Sequence, residues 1–98
     1  MQINYLAQAR QDLVEIADHY REVGGHSLAT KLLHRVRDDI VLLKTMPQAG
    51  SNYPLLPGIR RLVIVSGAFL VFYRVNQAVE ILHIRRSERE PLQEHELH

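Results

Sequence analysis

The chain has 98 residues, the length of a single domain, and its 46% hydrophobic content is typical of a folded chain. It contains no cysteine, which excludes disulfide bonds and thiolate chemistry and suits the cytoplasm. It has no run of about 18 apolar residues that would span a membrane, and the N-terminus lacks the basic start and apolar stretch of a secretory signal. We therefore expect one cytoplasmic domain, residues 1–98, ending in a loose acidic tail at residues 87–98.

The net charge of +1 hides an uneven distribution. Residues 7–45 carry equal numbers of basic and acidic side chains. Residues 59–86 carry five arginines against the single acid Glu80, and the tail is acidic. A local field of this kind matters even when net charge is near zero, so the second half of the fold is expected to present a positive surface.

The first elements in chain order are a short strand at residues 2–6 and two helices at residues 7–23 and 27–45. Apolar residues recur at helical spacing in both helices, and Asp12 is assigned to the polar side of the first. The pair Gly24-Gly25 stops the first helix, and the link is short enough to predict an antiparallel helical hairpin.

Residues 47–58 hold three of the four prolines and are predicted to form a loop. Three strands follow at residues 59–65, 69–75 and 78–85, and the tight turns between them predict an antiparallel meander. The fold class is therefore α+β in the order β-α-α-β-β-β. A helical hairpin packs on one face of a four-stranded, mainly antiparallel sheet.

The last two strands are apolar on both faces, although a helical hairpin covers only one face of a sheet. Strict alternation places Leu70 with Phe72, and Leu82 with Ile84, on the uncovered face. A half-exposed sheet normally carries polar residues there, so the pattern predicts that a partner protein covers part of this face.

The chemistry-bearing residues suggest two alternatives. Arginines at a strand face, with His83 as a proton donor or acceptor and Tyr73 as a general acid, would suit phosphodiester cleavage. Solvated charges that pair with a partner's carboxylates, with Tyr73 as a packing residue, form the other interpretation. Glu15 and His19 lie four residues apart on a helix, but two ligands are too few for a metal site, so no metal or cofactor is predicted.

Four stretches resemble the RelE/ParE superfamily of type II toxins, in the same order and spacing: "ARQDLVEIADHY" (9–20), "LLKTMPQAG" (42–50), "PGIRRLVIVSGAFLVFYRV" (57–75) and "VEILHIRRSERE" (79–90). The chain looks most like the ParE branch. The resemblance implies a RelE-like fold and a bacterial toxin neutralised by a cognate antitoxin, ParD-like or similar, that wraps over it.

Two activities divide the superfamily, because RelE-like members cut mRNA on the ribosome whereas ParE-like members poison DNA gyrase. RelE-like sites use lysines or a glutamate and often a C-terminal tyrosine, yet no lysine occurs in residues 45–98 and no tyrosine follows Tyr73. Gyrase inhibition is therefore favoured, with a ribosome-dependent endoribonuclease as the alternative and an inactive repressor partner as a third.

Two sets of site residues follow. The residues predicted to contact the target or the antitoxin are Arg61, Arg74, His83, Arg85, Arg86, Arg89, Phe72, Leu82 and Ile84. The residues that a ribonuclease would use are Arg60, Arg61, Tyr73, His83, Arg85 and Arg86. Arg86 stands where many relatives have histidine.

Overall fold

The structure, a computed structural model, describes residues 1–88 of the chain. Arg89 and most of the predicted acidic tail lie outside the described residues. The elements in order are β1 (Ile3–Tyr5), α1 (Ala7–Val41), a 3₁₀ helix (Leu42–Lys44), β2 (Ser51–Asn52), β3 (Arg60–Ile64), β4 (Phe69–Val75) and β5 (Val79–Arg86). Within residues 1–88, no helix has both the length and the apolar character needed to cross a bilayer.

Helix α1 consists of two helical arms, one before and one after Gly25, because Gly25 interrupts the helix with φ 85° and ψ 178°. Thirty-five residues of straight helix, at about 1.5 Å each, would extend about 52 Å, whereas the longest dimension of the molecule is 37 Å. Both arms contribute to one hydrophobic cluster, for example through Ile16 and Val36. The predicted helical hairpin is therefore present, and one non-helical residue makes the link.

The sheet has five strands in the order β1-β5-β4-β3-β2. Strand β1 pairs with β5 in parallel, and the other neighbours are antiparallel. The predicted α+β class is confirmed, but the count of four strands is wrong. The extra strand, β2, lies in the segment predicted as a loop and pairs with Arg60 and Arg61. Two residues carry no alternation that a sequence pattern could reveal.

A bulge in β5 changes which face its side chains occupy. Tyr73 pairs with Ile81 and Phe72 pairs with His83, so Leu82 is the extra residue on the bulged strand. Leu82 packs on the face away from α1, called the outer face below, whereas Ile84 joins the core beneath the helices. The prediction that Leu82 and Ile84 share a face is therefore wrong, because an inserted residue reverses the alternation beyond it.

The chain covers part of its own outer face. Tyr53 and Ile59, from the segment between β2 and β3, pack with Phe72 and Leu82 in a second hydrophobic cluster. Phe72 is 1% exposed and Leu82 5% exposed. A partner is therefore not needed to bury these residues, which corrects the interpretation drawn from the apolar alternation.

Candidate functional site

A groove of about 330 Å³ lies between the first arm of α1 and the end of β5, and is called the α1–β5 groove. The helix supplies acidic, amide and imidazole side chains, and the strand supplies the basic ones. The lining residues are Gln8, Asp12, Glu15, Ile16, His19, Tyr20, His83, Ile84, Arg85 and Arg86.

Asp12 lines the groove, and its side chain is only 5% exposed. Its Oδ2 accepts a hydrogen bond from the backbone N–H of Ile84 at 2.8 Å, and its Oδ1 accepts one from Nε2 of Gln8 at 2.9 Å. Nδ1 of His83 lies 2.6 Å from the same Oδ2, within ion-pair distance when the imidazole is protonated, although it is not aligned for a hydrogen bond. A buried carboxylate needs such partners, because burial of a bare charge is costly.

The strand wall of the groove is basic. His83, Arg85 and Arg86 all line it, so the structure brings together three of the predicted residues. Nε of Arg86 lies 3.6 Å from Oε1 of Glu88. An imidazole held beside a carboxylate is able to transfer a proton, and guanidinium groups bind phosphate or carboxylate oxygens. The strand wall of the groove is thus chemically suited to bind an anionic group.

Tyr73 and Arg60 lie elsewhere, where they hold the chain after the 3₁₀ helix. The Tyr73 hydroxyl donates to the carbonyl of Pro47 at 2.8 Å and accepts from the N–H of Gly50 at 2.9 Å. Nη1 of Arg60 donates to the carbonyl of Gly50 at 2.6 Å. Burial raises the pKa of Tyr73, which outweighs the opposing effects of the Gly50 hydrogen bond and of Arg60. The tyrosine is fully buried, so the packing interpretation fits it better than the general-acid one.

Two other predicted arginines have structural partners. The guanidinium of Arg61 lies over the ring of Tyr53, 5.7 Å from its centroid, in a cation–π contact. Nε of Arg74 donates to Oε1 of Glu80 at 2.5 Å, and this hydrogen bond is the main cause of the lowered pKa of Glu80. Neither arginine lines the α1–β5 groove. The expected convergence of arginines from β3 and β5 on one site is therefore absent within residues 1–88.

Three apolar residues predicted to contact a partner are buried. Phe72 and Leu82 belong to the second hydrophobic cluster, on the outer face, and Ile84 is 2% exposed in the core beneath the helices. The chain itself covers all three, so their contact with a partner stays a prediction. Arg89 belongs to the same predicted set and lies outside the described residues.

The sequence interpretation missed Asp12 and Gln8. The prediction that Asp12 lies on the polar side of its helix is wrong, because Asp12 is buried. A signal was present, since Asp12 follows Ala9 by three residues and precedes Ile16 by four, which places it on the apolar face. No group of three or more metal-ligating side chains occurs within residues 1–88.

Comparison with known proteins identifies the family. A family model described as the ParE toxin of the type II toxin-antitoxin system, parDE, matches residues 3–91. The chain belongs to the ParE toxin family. The groove, the basic end of β5 and the hydrogen-bonded turn at Gly50 all lie within the matched residues.

A solved structure supports the same assignment. The chain is similar to a structure described as the chromosomal ParDE TA system from P. aeruginosa, with a TM-score of 0.81 and 29% sequence identity. The match covers 90% of this chain and 97% of the other. No curated protein sequence matches the chain significantly. The expected resemblance to ParE toxins is thus confirmed.

Proposed function

We propose that this ParE-family toxin inhibits DNA gyrase in the bacterial cytoplasm and is neutralised by a cognate antitoxin. The observation that carries the proposal is the match to the ParE family over residues 3–91. The similarity to a ParDE system supports an antitoxin partner of the ParD type. The positive groups at the end of β5 are then a binding surface, and no cofactor takes part.

The distribution of the candidate ribonuclease residues supports the same proposal. Tyr73 and Arg60 hold a turn, and Arg61 rests on Tyr53, so half of the six residues are engaged in contacts outside the groove. Only His83, Arg85 and Arg86 line it. A cleaving site needs its acid, base and charge-stabilising groups within reach of one substrate atom.

The test is DNA supercoiling by purified gyrase with and without the protein. We expect loss of supercoiling and accumulation of linear DNA covalently linked to gyrase. Arg86→Gln removes a charge from the groove and should weaken inhibition. Its matched control is Arg21→Gln, which removes an exposed helix charge that pairs with exposed Asp18, and this variant should inhibit like wild type. Normal supercoiling at saturating toxin would reject the proposal.

A ribosome-dependent endoribonuclease is the second candidate, favoured by one observation. The Asp12–His83 pair lies in the same groove as Arg85 and Arg86, which combines a proton-transferring group with charges suited to a phosphate. The test is the integrity of ribosome-bound mRNA after addition of the protein. Cleavage that disappears in His83→Gln would support this candidate, and intact mRNA would eliminate it.

A further inference from the structure

Strand β5 is paired with β1 over only the first part of its length. Strand β1 pairs with Val79, Glu80 and Ile81, and the last bond on this side runs from the N–H of Leu6 to the carbonyl of Ile81. The chain then enters α1. Beyond Ile81 the edge of β5 faces the helix, where open backbone groups need other partners.

Beyond the end of β1, Asp12 supplies a hydrogen-bond partner for the backbone of β5. Its Oδ2 accepts a hydrogen bond from the N–H of Ile84, which lies two residues after the bulge at Leu82 and two residues before the groove arginine Arg86. The same carboxylate lies against Nδ1 of His83, and Gln8 supports its other oxygen. One buried side chain thus contacts both the ring of His83 and the backbone of Ile84, the two residues that follow the bulge.

The groove charges depend on this arrangement. A bulge bends and twists the strand that contains it, so the direction of the residues that follow depends on what holds the strand there. The side chains of His83, Arg85 and Arg86 follow the bulge within four positions. Asp12 is itself buried, so it has little surface with which to contact a macromolecule.

We propose that Asp12 is a positioning residue for toxicity, which fixes the end of β5 so that His83, Arg85 and Arg86 present one rigid basic surface to the target. The inference rests on the proposed function for the identity of the target. It assigns to Asp12 a role beyond stability, because the carboxylate acts through the arginines of the groove.

The first variant is Asp12→Asn, which keeps the shape of the side chain and removes its charge. The matched control is Asp18→Asn, which removes the same charge from an exposed position of the same arm. We expect the toxin concentration for half-maximal gyrase inhibition to rise about tenfold in Asp12→Asn and to stay within about twofold in Asp18→Asn. Both variants should be folded by circular dichroism.

A double-mutant cycle with Arg86→Gln separates positioning from stability. If Asp12 acts through the groove arginines, Asp12→Asn should have a much smaller effect in the Arg86→Gln background than in wild type. Independent, additive effects would overturn the inference, and so would wild-type inhibition by folded Asp12→Asn.

Two further measurements keep the test decisive. If Asp12→Asn does not fold, Gln8→Ala replaces it, because Gln8 is exposed and its loss removes one hydrogen bond that holds the Asp12 carboxylate. The double-mutant cycle is then measured with Gln8→Ala and Arg86→Gln. Unchanged inhibition by Gln8→Ala would then reject the inference.

Growth arrest on expression tests the Asp12 inference separately from the gyrase proposal. Arrest by wild type without gyrase inhibition rejects gyrase alone, and the cycle is then measured by growth. Absence of both effects in wild type rejects both proposals.

Discussion

Replacement of Tyr73 by phenylalanine tests whether this residue is a structural one or a general acid. The change removes one hydroxyl from a fully buried ring and leaves the ring in place. That hydroxyl bridges the carbonyl of Pro47 and the N–H of Gly50, which lie on the connection between the 3₁₀ helix and β2. Loss of the bridge leaves a backbone donor and an acceptor without this partner in a confined space.

The expected loss of stability is large for so small a change. Each buried polar group left unsatisfied costs about 1–3 kcal/mol, so the two groups together give about 2–6 kcal/mol. A domain of this size has a free energy of unfolding of about 5–15 kcal/mol. Since about 1 kcal/mol shifts the melting temperature of such a domain by about 4–8 °C, Tyr73→Phe should melt at least about 8 °C lower than wild type.

The assay is urea and thermal unfolding by circular dichroism, measured beside gyrase inhibition at a temperature where both proteins are folded. Tyr53→Phe is the control, because the Tyr53 hydroxyl makes no hydrogen bond within residues 1–88 and its ring stays against Phe72. We expect Tyr73→Phe to lose stability and to inhibit normally per folded molecule. Wild-type stability combined with lost activity would refute the reasoning and make Tyr73 a functional residue.

Three further changes test other parts of the fold. Gly50→Ala should destabilise the protein by at least about 2 kcal/mol in urea unfolding, because a Cβ there would lie 2.8 Å from the Arg61 carbonyl and from the Tyr73 ring; wild-type stability would contradict the packing. Gly25→Ala should cost about 1–3 kcal/mol through backbone strain alone, since the φ of Gly25 is 85° and the added carbon would meet no atom beyond the adjacent backbone within 4 Å. A more stable variant would show that the kink is not required. Arg74→Gln should remove the stabilisation that the Arg74–Glu80 ion pair contributes. That stabilisation is fully present above the pKa of an unfolded glutamate and is lost as pH falls through the lowered pKa of Glu80. If the variant and wild type showed the same dependence of stability on pH below neutrality, the coupling would be disproved.

The local elements of this protein follow from its sequence. Strand β4 begins at Phe69 and ends at Val75, as its alternation predicts, and the helix break occurs at one of the two predicted glycines. These features depend on neighbouring residues, such as the φ available to Gly25, so a single stretch of chain contains the information. The resemblance of several stretches to ParE toxins is likewise a property of the sequence alone.

The groove required the tertiary structure, because its residues come from opposite ends of the chain. Asp12 and Ile84 are 72 positions apart, and no pattern within either segment shows that a helix carboxylate replaces a strand at the edge of β5. The bulge at Leu82 is equally non-local, since it is defined by pairing with β4. The sequence therefore determined the two helical arms, every strand except β2, and the family to which the chain belongs. Only the packing of those elements decided that His83, Arg85 and Arg86 share a groove with Asp12, whereas Arg60 and Tyr73 hold a turn.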